Sequence, residues 1–482
     1  MKRRKKDIVF IINPSLWYQN MYPSGILCLS GYLENNGFKN TIIDSQISPQ
    51  RILSSQREAA IFRKIKQIKP KLICFSASHR EFNEVIRINQ NIKKYNNKII
   101  TIVGGPQPTF RGEDFLKSGF DFICFGEGEK TLTEFAKEIF KKNPGFARIK
   151  GLGWKKKDKN IFNPPRELLT EAEINSVSRP PYEKIDPRFF EMDIATIRGL
   201  PVKGALLLTA RGCPFSCSFC GCNLIFGKKL RFKSLKNIEK EVSYLKKHFK
   251  IEAVWLIDDT FTINKKHALA VAQILKKHQL IFNCQVRADT LDERLVKDLR
   301  EAGCFQMDIG VESGSQRILD KIINKGTTIN QIKNAFRLAK KYRIRTLANF
   351  MIGLPTETKN DLKKTEKLAD EINADVYLFA IATPLPGTRF YEMVGEEISA
   401  DEYGLLDWNG SPLTKRLNKS KIKNLVQEKE RLRKKYLLRT LKKSFFSWEN
   451  LKFFLKRKYK YQRLKFVLNY LPKLTKKHFQ EK

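Results

Sequence analysis

Short apolar runs alternate with longer amphipathic stretches along most of this chain. "DIVFII" (7–12), "NTIIDSQ" (40–46), "PKLICFSAS" (70–78), "KIITIVGG" (98–105) and "FDFICFGEG" (120–128) have strand length and are rich in β-branched and aromatic residues. "GILCLSGYLENNGF" between the first two reads as an apolar-faced helix ending at Gly37. Strands alternating with helices predict an α/β domain, a doubly wound, Rossmann-like parallel sheet over residues 1–145. Residues 146–195 lose this rhythm. "NPPRELLTEAEINSVSRPPYEKIDP" is rich in Pro and polar residues and is expected to be a linker.

A second alternation occupies 196–395. "GALLLTA", "EAVWLID", "FNCQVRA", "FQMDIGVE", "TLANFMIG" and "DVYLFAIA" are its six expected strands. "SLKNIEKEVSYLKKHF" between them repeats Leu235, Ile238, Val242 and Leu245 at near-helical spacing. "TLDERLVKDLREAGC" has Thr290 and Glu293 at capping-box spacing and Gly303 at its end. Six consecutive strand–helix units predict a full or partial (β/α) barrel with its chemistry at the carboxyl ends of the strands.

Composition narrows the setting. The 482 residues are 41% hydrophobic and 11% aromatic, enough to build cores. Nine cysteines, an odd number, include five scattered in or beside apolar runs (Cys28, Cys74, Cys124, Cys284, Cys304), which fits free thiols in a reducing compartment. No apolar run approaches the roughly 18 residues of a membrane span, and the apolar run after the basic start is too short for a secretory signal. The expectation is a cytoplasmic protein.

The formal charge is +42. Residues 415–482 hold 24 Lys and Arg against 4 Asp and Glu, a net of +20 in a segment that also carries Phe445, Phe446, Trp448, Leu451, Phe454 and Leu455. Residues 396–482 are therefore expected to be a basic helical tail. Three readings are open for it: a peripheral dock on an anionic membrane surface, a grip on RNA, or a helix packed on the barrel with its charge solvated. Nucleic acid is the least expected of these partners.

"RGCPFSCSFCGC" (211–222) crowds four cysteines directly after the first barrel strand. Zinc, a disulfide, unliganded thiols and an iron–sulfur cluster are the alternatives, and a reducing compartment disfavours the disulfide. Structural zinc usually takes two separated ligand pairs or a Cys/His mix, and no histidine is near in sequence. Three thiolates on a four-iron cluster leave one iron open to another ligand. Paired carboxylates follow at Asp258 and Asp259, which as neighbours on a strand point to opposite sides. One is expected to face a cofactor and the other to cap the next helix or pair with a base. Arg287, on the third strand, is placed to meet a carboxylate inside the barrel.

"TARGCPFSCSFC" resembles the signature of the radical S-adenosylmethionine (SAM) superfamily, and "IDDTF", "GVESGS", "MIGLPTET" and "ATPLPGTRFYE" match further motifs in order over about Gly204–Met393. The resemblance implies that Cys213, Cys217 and Cys220 ligate a four-iron–four-sulfur cluster whose open iron takes SAM. It implies Phe219 against the adenine, Glu312 on the ribose or amino group, Gly353 and Pro355 shaping the backbone by the adenine, and Asp259 and Arg287 at the cofactor. Cys222 is then a small filler beside the ligands. An electron donor such as flavodoxin or ferredoxin is implied as a partner.

"YPSGILCLSGYLENNGF", "VGGPQPTF" and "DFICFGEGEKTLTEF" resemble the cobalamin-binding domain fused to one large class of these enzymes, over about residues 7–141. Gly104, Gly105, Gly126 and Gly128 would let a corrinoid approach the backbone. "SASHREFNE" has His79 without the Asp and Gly of the D-x-H-x-x-G pattern, which implies cobalamin held without a histidine on cobalt. The leading expectation is cobalamin-dependent methylation of an unactivated carbon in a small-molecule or lipid-like substrate. One SAM would methylate cobalt and a second would yield the hydrogen-abstracting radical. The alternatives are a radical cyclase of the same superfamily without methyl transfer, a methylthiotransferase, and a non-catalytic RNA- or membrane-docking protein. The methylthiotransferase needs three further ligating cysteines in the first domain, where Cys28, Cys74 and Cys124 fall in or beside core-like elements.

Overall fold

The computed structural model describes residues 8–12, 22–44, 54–157, 159–190, 202–418 and 420–446. β1 (Ile8–Ile12), β2 (Asn40–Asp44), β3 (Leu72–Ser76), β4 (Ile100–Gly104), β5 (Phe122–Cys124), β6 (Leu152–Lys156) and β7 (Lys159–Phe162) form one sheet in the order β2-β1-β3-β4-β5-β6-β7. β1 to β5 run parallel. β1 is buried along its whole length, which is why its five residues are all apolar instead of alternating. The strand order reverses between β1 and β3, the place where doubly wound sheets open a ligand cleft.

β6 and β7 correct two expectations. They lie in the stretch expected to be a linker, yet they extend the first sheet, and they pair antiparallel, so the sheet is mixed. Their lysine-rich sequence hid them. Toward the sheet edge Lys155 and Lys156 of β6 and Lys159 of β7 are exposed to water.

The second sheet follows the expected strands. β8 (Gly204–Leu207) leads into a ribbon of two short antiparallel strands, β9 (Ala210–Arg211) and β10 (Arg231–Phe232). β11 (Ala253–Leu256), β12 (Ile281–Val286), β13 (Cys304–Glu312), β14 (Arg345–Ile352) and β15 (Val376–Ile381) complete an open six-stranded parallel sheet in the order β15-β14-β13-β12-β11-β8. Neighbours in sequence are neighbours in space, as in a barrel, but β8 and β15 remain edges. The loops after these two edge strands nevertheless touch, for Phe390 N donates to Ser218 O at 2.8 Å. The arc is therefore curled, a partial barrel. The helix after β12 starts at Glu293 with Asp292 as its cap, accepting from Leu295 N at 2.8 Å. The expected Thr290–Glu293 box does not form, because Thr290 bonds back to the Arg287 carbonyl instead.

Part of the basic tail belongs to the barrel. Helix Leu425–Phe446 packs on the outer face of β15. Tyr436 is 1% exposed and stacks on Tyr377 and Phe379, with ring centroids 4.4 and 5.5 Å apart. Arg431 and Lys435 pair with Glu366, while Lys435 and Arg439 pair with Asp370. The aromatic run that suggested a membrane dock lies outside the described residues, from 447 onward, with the side chains of Phe445 and Phe446 also outside them. No helix among the described residues is long and apolar enough to cross a membrane.

Two predictions follow from this docking. Tyr436→Ala is expected to cost about 3 kcal/mol of unfolding free energy in urea, since it empties a packed aromatic site. Leu438→Ala, on the exposed side of the same helix at 67% exposure, should change it by less than about 0.5 kcal/mol. Hydrogen bonding to Arg431, then to Lys435, holds Glu366 down to about 2 from an ordinary 4.5. A depressed carboxylate stabilises the fold above its unfolded value and loses that contribution as pH falls through the folded one. Stability measured from pH 5 down to 2.5 should therefore fall more steeply in the parent protein than in Glu366→Gln.

Candidate active site at the facing strand ends

The cysteine loop starts from a pinned strand end. Asp258, 2% exposed, accepts from Thr209 N at 2.6 Å, from Ala210 N at 3.1 Å and from the Thr209 hydroxyl. Burial pushes its carboxyl up to about 6. Neither acidic neighbour caps the following helix, whose cap is Asn264. Asp258 instead fixes the departure of the loop from β8, and Asp259 turns to the other side, as alternation requires. There Asp259 accepts from the Cys222 thiol at 2.8 Å. Cys222 is thus occupied as a donor beside the other three cysteines, in keeping with a filler's place.

Ser218, missed in the sequence, anchors the middle of the loop. Its N–H donates to Ile323 O at 2.8 Å, its hydroxyl to Ile322 O at 2.7 Å, and its carbonyl accepts from Phe390 N. One residue between Cys217 and Cys220 therefore binds the loop to the segments after β13 and β15. No sequence pattern distinguishes it from other serines, because its partners are backbone groups a hundred or more residues away.

The three remaining thiols share one space. Cys213 and Cys217 act electrostatically on Cys220, and partial burial is the first cause that raises the Cys213 thiol. Arg287 is the cation in this space. Its Nη1 lies 3.6 Å from Cys217 Sγ and its guanidinium stands 3.5 Å over the Phe215 ring. It meets a carboxylate as expected, but that of Asp289 two residues on, and it sits just after β12. Three thiols on one loop, with a guanidinium beside one of them, suit thiolate ligands, and three thiolates leave one iron of a four-iron cluster open. These residues fit an iron–sulfur cluster. Cys28, Cys74 and Cys124 lie in the helix Ser24–Asn35, in β3 and in β5.

Glu312 ends β13 at φ +65°, where the β13–β14 register slips, and pairs with the buried Lys325 at 3.0 Å. Both side chains are at most 10% exposed, so this is a buried pair at the strand end and not a solvated rim bridge. Gly353 has φ +81°, and a side chain there would come within 2.7 Å of Leu425 and 2.8 Å of Asn418. That glycine turn, with the buried Pro355, is thus packed against the C-terminal segment on one side. Phe219 is half-buried against the core.

The first domain presents its own rim. Ala77 N donates to Gly104 O, Gln107 N to Ala77 O and Gly126 N to the Thr109 hydroxyl, so the loops after β3, β4 and β5 are tied together. Gly105 (φ +103°) has Ala77 O only 2.9 Å from where a side chain would begin, while Gly126 (φ +74°) has open space there. Gly128 opens the helix that follows, against Leu29. The Gln107 side chain is buried at the start of the helix after β4, and its Nε2 has no hydrogen-bond partner. An open glycine rim with a spare buried amide donor fits a corrinoid, whose periphery carries amide acceptors. His79 is half-buried in the loop after β3. Burial pushes it down to about 4, and it bonds the Leu406 backbone.

The two rims face each other. Tyr22, which follows β1, both donates to Leu206 O (2.6 Å) and accepts from Leu206 N (2.7 Å) on the free edge of β8. Phe110 of the first domain lies against Gly221 in the cysteine loop and Gly387 after β15. Tyr403, in the segment expected as tail, donates to Asp114 at 3.0 Å and packs edge-on to Phe82.

Residues 207–369 match the family model of the radical SAM superfamily, and residues 17–136 that of the B12 binding domain. An uncharacterized methyltransferase of Pyrococcus horikoshii is 32% identical over 332 residues, 68% of this chain and 70% of its own. The anaerobic magnesium-protoporphyrin IX monomethyl ester cyclase of Rubrivivax gelatinosus is 28% identical over 397 residues, 80% of this chain and 68% of its own. In fold the chain is similar to the radical SAM methyltransferase TsrM of Kitasatospora setae, solved with cobalamin and a four-iron–four-sulfur cluster, with a TM-score of 0.69 at 18% identity over 81% of this chain and 78% of that one. With the cysteine loop on one rim and the glycine loops on the other, the chain belongs to the radical SAM superfamily, its barrel joined to a B12-binding domain.

Proposed function

We propose that this protein is a cobalamin-dependent radical SAM enzyme that methylates an unactivated carbon of a small-molecule substrate. The observation that carries the reading is the meeting of the two rims, through Tyr22 on β8 and Phe110 on the cysteine loop. A methyl donor on one domain is useful to a radical made on the other only across a short gap. The relatedness to the Pyrococcus horikoshii methyltransferase supports the same reading.

Cys213, Cys217 and Cys220 would hold the cluster, and the glycine loops at Gly104–Gly105 and Gly126–Gly128 would receive the corrinoid. When bound, the cluster supplies the electron that splits SAM to a 5′-deoxyadenosyl radical, and cobalamin supplies the methyl group. The chain's own residues do the rest. Arg287 offers a positive charge to the Cys217 sulfur. Asp259 holds the Cys222 thiol as a hydrogen-bond donor. Asp258 holds the loop's origin. Glu312 and Lys325 form the charged pair on the β13 side of the rim, where the amino and carboxylate groups of SAM have partners of either sign. Phe219 and the Gly353–Pro355 turn would border the adenine. A flavodoxin- or ferredoxin-type donor delivers the electron.

Anaerobically reconstituted protein should hold about four irons per chain. Replacing Cys213, Cys217 or Cys220 by Ala should abolish both the iron and 5′-deoxyadenosine formation, while Cys222→Ala keeps most of both. Loss of iron in the Cys222 variant alone would refute this ligand set. The protein should also bind hydroxocobalamin, with a cob(II)alamin resonance that lacks nitrogen hyperfine splitting from a histidine and is unchanged in His79→Ala. 5′-Deoxyadenosine formation without any corrinoid uptake would instead favour the cyclase reading, which the Rubrivivax gelatinosus relative makes the second choice.

A further inference from the structure

Two arginines flank the cysteine loop, and both reach one carboxylate on the other domain. β9 and β10 close the loop at its base, with Arg211 directly opposite Arg231. Arg211 Nη1 is 3.0 Å from Glu127 Oε1, and Arg231 Nη1 is 2.6 Å from Glu127 Oε2. Arg211 Nη2 also meets Glu129 Oε1 at 2.6 Å. Glu127 stands between Gly126 and Gly128, in the loop after β5 that borders the corrinoid rim. Its Oε2 accepts a third bond, from Leu169 N at 2.8 Å.

These contacts do more than join two surfaces. Like charges directly opposite in an antiparallel pair repel. Asp258 and Glu171 hold the backbone of the ribbon, through Ala210 N and Phe232 N, but neither neutralises the facing arginines. The missing anion comes from the first domain, so the base of the cysteine loop is complete only when Glu127 is in place. Arg231 extends the grip by donating from Nη2 to Phe226 O, at the end of the short helix inside the loop, at 2.7 Å. Arg211 is two residues from Cys213. Between them Gly212 (φ +94°) leaves no room for a side chain, with Lys229 O 2.3 Å from where one would begin, and Cys213 N bonds Gly227 O at 3.2 Å. Movement of the ribbon therefore reaches the first cysteine with little slack. The two glutamates and two arginines are 3–11% exposed. Burying a balanced set of charges is poor value as stability, because desolvation consumes most of the attraction. What such a set does supply is a single allowed geometry.

We propose that Glu127 is a positioning residue, fixing through Arg211 and Arg231 where the cysteine loop stands relative to the glycine rim of the B12-binding domain. The role rests on the proposed function, in which cluster and corrinoid work across that gap, but its structural half needs neither cofactor.

The test uses the full chain with Glu127→Gln, which keeps the side chain's shape, and Arg211→Lys, which keeps the charge but loses the fork. Hydrogen exchange at residues 212–230 in the metal-free protein should accelerate about tenfold or more in Glu127→Gln, with the amides of β11 to β14 unchanged. In protein loaded with cluster and hydroxocobalamin and then reduced, both variants should retain wild-type iron and corrinoid, while the relaxation enhancement of cob(II)alamin by the reduced cluster falls or becomes heterogeneous. Arg211→Lys should lie between Glu127→Gln and the parent. Unchanged exchange and unchanged magnetic interaction would overturn the proposal. So would loss of corrinoid with the exchange at 212–230 unaffected, since Glu127 would then merely shape the B12 loop. If Glu127→Gln does not fold, Arg211→Lys decides on the same two readouts. Failure of the wild-type protein to take up corrinoid would count against the proposed function alone, because the exchange measurement is made without it.

Discussion

A parallel sheet puts every strand's carboxyl end, and so every loop that follows a strand, on one rim. This molecule has two such sheets, and the geometry around its site depends on how their rims are brought face to face. Loops meeting loops would ordinarily leave backbone polar groups and side-chain charges between them without water, at a cost of a few kcal/mol for each unpaired group. The interface answers this with matched partners. Tyr22 satisfies both the N–H and the carbonyl of Leu206 on the exposed edge of β8. Glu127 and Glu129 neutralise Arg211 and Arg231. Lys184, from the stretch between the sheets, donates to the Asn40 side chain at 2.8 Å.

The cysteine loop is a consequence of that arrangement. It is long and rich in small residues, and besides its own turns it is shaped by contacts from outside. Asp258 fixes its first residues, the arginine ribbon closes its base, Ser218 ties its middle to the loops after β13 and β15, and Phe110 bears on Gly221. Anchors on several elements hold three sulfurs in place without needing the loop to be rigid by itself, the general way in which a site is supported by its surroundings. Arg287 and Asp259 then set the local charge, one positive group at Cys217 and one negative at Cys222.

The positive excess of the chain has a partly structural use. Arg431, Lys435 and Arg439 face Glu366 and Asp370 and dock a helix over the aromatic face of β15. Aromatic stacking by Tyr436 supplies the part of that contact which salt does not screen. Basic residues interleaved with aromatic ones looked like a surface-seeking segment. In the described half they cover the barrel, because an acidic helix face and an exposed run of aromatic strand residues were already there to be covered.

Local pattern alone determined much of this protein. Runs such as 8–12 and 376–381 read as strands, their alternation with amphipathic helices pointed to parallel sheets, and four cysteines after a strand end placed the chemistry at a barrel rim. These features are legible because periodicity and motif spacing act over a few residues. β6 and β7 were not, since the last two strands of the sheet carry lysines where their side chains meet water. The docking of helix 425–446, the true cap at Asp292, the anchoring by Ser218 and the pairing of Glu127 with Arg211 and Arg231 were not legible either. Each depends on which distant group arrives within about 3 Å, and a buried charge or backbone carbonyl leaves no periodic trace in the chain that satisfies it. Only the tertiary structure could decide those, because only there are the desolvated partners brought together.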